Sequence, residues 1–153
     1  MNKSGDYQLG FISNQDIYNH VKQTISRYRL SINFKEFTKL KIDPIKASFD
    51  MAIYNLTADE FIRREIMRQI DKSNNNQIGY FHQNIFRYIK DWQVPECGYD
   101  IINENLSYYV EMKNKFNTMN SNSKENVYRK MKQTVDSDPE ATCFLVEVIA
   151  KKI

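Results

Sequence analysis

The chain of 153 residues reads as an α/β protein with a mixed, α+β-like sheet, its helices followed by a β-β-β-α-β unit. Three observations predict this. Up to about residue 90, apolar residues recur at helical spacing. Residues 99–113 change to period-two alternation around a turn-like "NENL". At 142–150, "TCFLVEVIA" is a near-continuous apolar, β-branched run of the kind found in strands covered on both faces.

The first helix is expected from Ser13 to about Arg29. Ser13 and Asp16 form a capping box, and Ile17, Val21, Ile25 and Tyr28 make one stripe. The second runs from Thr57 to about Lys72, opened by Thr57 and Glu60, with Phe61, Ile62, Ile66 and Ile70 inward. "SNNN" at 73–76 should break it, because Ser and Asn compete for backbone hydrogen bonds. A third helix covers about Tyr80 to Lys90, and "DWQVP" then gives a short strand ended by Pro95. Residues 99–102 and 107–113 make a hairpin. A helix from Ser123 to Val135, with Val127, Tyr128, Met131 and Val135 inward, connects it to the apolar strand. That connection is a βαβ crossover and implies parallel pairing.

Composition bounds the rest. The length suits one domain over residues 1–153, and ten Tyr with nine Phe argue for a packed core. Basic residues exceed acidic ones by only three, which permits a phosphate-bearing partner without requiring one. No apolar run approaches about 20 residues, so no membrane partner is expected. Cys97 and Cys143 lack metal-ligand spacing and read as half-buried reduced thiols of a cytoplasmic protein. Ile153 follows directly on the apolar strand, leaving one of its faces uncovered, so a fragment of a longer chain is expected.

The hairpin carries the chemistry. Alternation puts Tyr109, Glu111 and Lys113 on one face and Val110 and Met112 on the other. Loops of two or four residues both set Asp100 opposite Tyr109, diagonal to Glu111, with Cβ atoms roughly 7–8 Å apart. A three-residue loop would turn Asp100 away. Two carboxylates at that reach can hold a hard divalent cation such as Mg2+, with Lys113 one pleat further on. The plain alternative is a solvated face with a cross-strand ion pair worth under ~1 kcal/mol. Glu65, inside the stripe of the second helix, either joins the metal site or pairs with an arginine such as Arg68. Glu147 is either a partner of Lys113 or a strand-end charge. Two amide-rich stretches, "SNNNQIGYFHQN" and "NKFNTMNSNSK", suit DNA phosphates or base edges. They supply Asn75, Asn76, His82, Gln83, Asn114, Lys115, Asn117 and Asn120 as candidate DNA contacts. For His82 alone, the plain reading is a helix-surface polar residue.

Asp100, Glu111-x-Lys113 on the next strand, a helix and a buried strand together resemble the PD-(D/E)xK nuclease core. The stretches "LGFISNQDIYNHV", "DKSNNNQIGYFHQNIFRYI", "YVEMKNKFNTMNS" and "ATCFLVEVIAKK" more specifically resemble type II restriction endonucleases that cut GGNCC or GGWCC sites. The resemblance covers nearly the whole chain, although Tyr99 precedes Asp100 and the nearest proline is Pro95. Family members continue past the equivalent of Ile153.

The resemblance implies Mg2+-dependent hydrolysis of double-stranded DNA at a short near-palindromic site. Asp100, Glu111 and the Met112 carbonyl would hold the metal, and Lys113 would orient or deprotonate the attacking water. It also implies a homodimer when full length and a cognate DNA methyltransferase as genetic partner. Two other classes stand beside it: a repair or junction-resolving nuclease of the same core, which a cleavage map would separate, and an inactive DNA-binding or dimerisation module. Loss of Mg2+ binding on Asp100→Ala would favour an enzyme over that module.

Overall fold

The structure, a computed structural model, describes residues 6–151; Ile153 lies outside the described residues. The chain divides into two compact units, residues 25–77 and the remainder.

In the unit of residues 25–77, helix formation is written into local caps. α2 (Phe34–Phe37) starts from a reciprocal box between Asn33 and Glu36. α3 (Pro44–Tyr54) has Asp43 as N-cap and Pro44 in its first turn, and it closes on Asn55 in the left-handed region at φ 50°. Periodicity alone assigns neither helix; the caps are the signal. α4 (Ala58–Asn84) opens at the Thr57–Glu60 box. It does not break at 73–76, and the separate helix expected over 80–90 is its continuation, followed by a 3-10 turn at Ile85–Tyr88. The asparagines bond elsewhere. Asn74 Oδ1 accepts from Arg29 N–H at 2.8 Å while its amide donates to the Arg29 carbonyl at 3.1 Å, and Asn75 donates to Asp71 one turn back at 2.9 Å. With the side-chain amides of Asn74 and Asn75 so engaged, those two no longer compete for the helix backbone.

The other unit contains most of α1 (Asn14–Ser26), opened by Ser13 and Asp16. Its buried residues are Ile17 and His20; Val21 and Ile25 of the expected stripe are exposed. His20 Nε2 meets the Phe81 carbonyl at 2.9 Å and its ring lies against Phe81 and Tyr88. This unit also holds the sheet, β1 (Ile101–Asn103), β2 (Tyr108–Lys115) and β3 (Thr142–Ile149), ordered β1-β2-β3. β1–β2 is antiparallel, and β2–β3 is parallel across α5 (Ser121–Ser137), as the crossover requires. The expected first strand reduces to a single bridge between Gln93 and Ile102; Pro95, lacking an N–H, cannot extend the ladder.

Between β1 and β2, a 3-10 turn at Glu104–Leu106 is closed by Asn103 Oδ1 accepting from Leu106 N–H at 3.2 Å, and Ser107 takes φ 50°. Asn103 therefore pairs with Tyr108. Continuing the register one step beyond Ile101–Val110 sets Asp100 across from Glu111, not Tyr109. The shift is two positions, so the face is unchanged.

One face of the sheet makes the core. Ile101 is fully buried beside Val110 and Met112, with Phe86, Trp92 and Val94 packed against them. Behind it, His82 of α4 and Asn114 of β2 face each other; neither His82 Nδ1 nor Asn114 Oδ1 makes a hydrogen bond of good geometry. Burial holds the His82 imidazole below the usual histidine range, with Asn114 pulling the other way. β3 departs from expectation. Phe144, Val146 and Val148 on one face and Leu145 and Ile149 on the other are all exposed. β3 is a sheet edge, and Tyr128 and Val135 of α5, expected inward, are exposed as well. Cys97 is exposed and Cys143 half-buried.

Ile101→Ala is expected to lower the unfolding free energy by about 3 kcal/mol, against under about 1 kcal/mol for Leu145→Ala. Urea denaturation followed by the fluorescence of Trp92, the single tryptophan, measures both. Because the His82 pKa is depressed on folding, its contribution to stability is complete above about pH 6.5 and declines as pH falls below it. Midpoints at pH 7.5 and 5.5 should differ less for His82→Gln than for the wild type.

Candidate active site

The face of the sheet opposite the Ile101 core carries the polar cluster. Strand alternation gives Tyr109, Glu111 and Lys113 to this face, and the hairpin register adds Asp100. The parallel register to β3 places Glu147 across from Lys113 on the same face. Asp100, Glu111 and Lys113 thus share one face, as loop parity predicts, with Asp100 directly across from Glu111 and not diagonal to it.

Their bonds are specific. Asp100 Oδ2 accepts from the Met112 N–H at 2.7 Å, which ties the start of β1 to β2. Glu111, buried in the sheet, has both carboxylate oxygens engaged. Lys113 Nζ donates to Oε1 at 2.6 Å, and Lys130 Nζ, from α5, donates to Oε2. Lys130 also donates to the Gly98 carbonyl at 3.2 Å and lies 4.4 Å from the centre of the Tyr99 ring. Gly98, at φ +91°, turns the chain there in a conformation that side-chain-bearing residues rarely adopt. Tyr99 itself is buried, its hydroxyl 2.8 Å from Thr134 Oγ1 and 3.4 Å from Cys143 Sγ; burial, then Cys143, pushes its phenol up to about 12.

The two carboxylates are driven apart electrostatically. Burial raises Asp100, and the charge of Glu111 raises it further; the Met112 N–H, Lys113 and Lys130 pull it down without reversing the outcome. Burial also works against Glu111, but the hydrogen bonds from Lys113 and Lys130 win and hold it below the usual carboxylate range. Asp100 is thus the carboxylate short of compensating positive charge. Oxygen donors of this kind, with negative charge in excess on one of them, fit a hard divalent cation. Among the described residues no third His, Cys, Asp or Glu side chain joins them. Backbone carbonyls and water would therefore complete its shell.

The remaining sequence candidates scatter. Glu65 accepts from Arg68 at 2.5 and 2.8 Å and from Gln69 at 2.8 Å within its own helix; the Arg68 bond holds its carboxyl below the usual range. Asn75 bonds Asp71 and Asn76 is exposed on α4. His82 and Asn114 face each other inside, and Gln83 is half-buried. Asn120 is the N-cap of α5, accepting from Ser123 N–H at 2.8 Å. Lys115 and Asn117 are exposed just past Lys113, Asn117 at φ 58°. Lys130 is the member of the cluster that sequence reasoning does not find. It stands three residues after Val127 and one before Met131, on a helix whose rotation the apolar stripe leaves loose; three basic residues within about one turn (Arg129, Lys130, Lys132) give no sign of which one points inward.

Comparison with known proteins supplies the frame. The chain is 29% identical over 149 residues to the type II restriction enzyme Sau96I of Staphylococcus aureus, covering 94% of this chain and 57% of the relative. It is 26% identical over 152 residues to the type II restriction enzyme Eco47II of Escherichia coli, covering 94% of this chain and 63% of that protein. The chain thus spans about three-fifths of the length of these curated relatives. No solved structure matches it significantly. The profile of the Eco47II restriction endonuclease matches residues 9–153, nearly the whole chain, and the chain belongs to that family.

Proposed function

We propose that this chain carries the catalytic site of a Mg2+-dependent type II restriction endonuclease with a PD-(D/E)xK core. The observation that carries the reading is the convergence of Asp100, Glu111 and Lys113 on one face of the β1–β2 hairpin. Asp100 and Glu111 hold the cation, with the Met112 carbonyl as a further donor. When bound, the cation supplies charge neutralisation at the phosphate undergoing attack. Lys113 would release Glu111 Oε1 and orient the attacking water through its ammonium; to take up the water's proton it must first lose one of its own to solvent. Attack in line on phosphorus then leaves a 5′-phosphate and a 3′-hydroxyl. Asp100 and Glu111 must both be ionised for this, and the neighbouring positive charges favour that state for Glu111.

The substrate is double-stranded DNA. Family resemblance supports a short near-palindromic site of the GGNCC or GGWCC kind, read by a homodimer with one site per strand and shielded in the host by a cognate methyltransferase. Lys115 and Asn117, exposed directly after Lys113, are the amide and ammonium groups best placed to approach DNA from the catalytic strand. No helix among the described residues is long and apolar enough to cross a membrane, and the cytoplasm is the compartment such a pair of enzymes needs. The relatives are longer than 153 residues, and β3 exposes Phe144, Leu145, Val146, Val148 and Ile149. The 153-residue chain is therefore read as one nuclease domain whose sheet edge is covered, in a full-length protein, by a further C-terminal segment.

Lys113→Ala should leave DNA affinity in calcium mostly intact and lower the cleavage rate by orders of magnitude, because its role belongs to the transition state. Equal loss of binding and cleavage would make Lys113 a phosphate contact only. A second expectation concerns β3. Each of its large side chains is worth roughly 1.5–3 kcal/mol when fully buried, so the 153-residue chain should self-associate in sedimentation velocity. Adding the family's C-terminal segment should give a defined, active species. A monodisperse 153-residue monomer with specific nuclease activity would refute the covering segment.

A further inference from the structure

The geometry points to Lys130 as a tethered counter-cation of the active site: we propose that it holds Glu111 while no divalent cation is bound and thereby sets the site's metal affinity. This rests on the reading of Asp100 and Glu111 as the cation-binding pair.

Three features carry it. Lys130 lies on α5, outside the hairpin and its D…ExK pattern, yet its ammonium donates directly to Glu111 Oε2. Lys113 takes Oε1 at 2.6 Å, so both oxygens of Glu111 are already bonded to ammonium groups. Each oxygen keeps a second lone pair, so a cation that gains Glu111 as a ligand must either displace an ammonium group or sit against its charge.

The two lysines differ in what they keep after displacement. Lys130 retains the Gly98 carbonyl at 3.2 Å and the Tyr99 ring at 4.4 Å, and those partners hold it beside the site. Tyr99 is itself fixed by Thr134 and Cys143, so this anchor is rigid. The charges add a second constraint. Asp100 and Glu111 are matched by Lys113 and Lys130, and Glu147 adds a third carboxylate across from Lys113 on the same face; a divalent ion still leaves an excess of positive charge that a DNA phosphate can neutralise. Cation binding is thus weak without DNA, and Lys130 is a positioning residue that makes it so.

The test is calorimetric titration of Mg2+ and Mn2+ into the 153-residue chain without DNA. Lys130→Gln and Lys130→Met should each bind the cation about five- to tenfold more tightly than the wild type, since both the competing donor and its repulsion are removed. Lys130→Arg, which keeps the charge, should stay near the wild-type value. Glu111→Gln and Asp100→Asn should bind far more weakly. If Lys130→Gln binds equally or less tightly while Glu111→Gln abolishes binding, the role of Lys130 is refuted and the cation site stands. If neither Glu111→Gln nor Asp100→Asn changes binding, the cation site itself is refuted, and the role of Lys130 with it. Should Lys130→Met fail to fold by circular dichroism, Lys130→Gln, which removes the ammonium but keeps a polar side chain, decides the matter.

Discussion

The register between β1 and β2 is the constraint on which the remaining arrangement depends. A strand offers two faces and the hairpin assigns every residue to one of them at once. Ile101, Val110 and Met112 then meet Phe86, Trp92 and Val94, while Asp100, Glu111 and Lys113 are left together on the reverse side. Core and candidate site are thus two consequences of one pairing. A slip of a single residue would bury the carboxylates and expose the isoleucine, so the fully buried Ile101 protects the chemistry by making that slip costly.

On the polar side, the energetic problem is to keep charges in a place poorly served by water. Glu111 solves it with two ammonium partners. Asp100 solves it incompletely, with one backbone N–H and, among the described residues, no cation in direct hydrogen-bond contact. This asymmetry is informative. A purely structural pair would gain from satisfying both groups, whereas a site that receives a cation gains from leaving one carboxylate under-compensated.

Much of this was legible in the sequence, for identifiable reasons. The common face of Asp100, Glu111 and Lys113 follows from parity alone, which any even loop preserves. The offset of the register was not legible, since it depends on the Asn103 side chain closing a 3-10 turn. The continuous α4 was hidden for a similar reason: Asn74 spends its amide on the backbone of Arg29, 45 positions away in the chain, and no local rule anticipates that. For β3, the apolar run correctly marks a strand paired in parallel, but composition records how much surface asks to be covered and not what covers it. Lys130 escaped because its partner is decided by how α5 docks on the sheet, a tertiary fact.

Tyr99 occupies the position before Asp100 where a PD-(D/E)xK pattern has proline. A proline stiffens a loop through its own ring. Here the stiffening comes from outside the loop, by a phenol reaching Thr134 on α5 and Cys143 on β3. The location of Asp100 accordingly depends on two elements distant in the chain, and a replacement at Thr134 or Cys143 bears on the candidate site through Tyr99. A replacement at Thr134 that looks like ordinary turnover on a helix surface would release one hold on Tyr99, whereas a proline at position 99 would stiffen the loop without either partner.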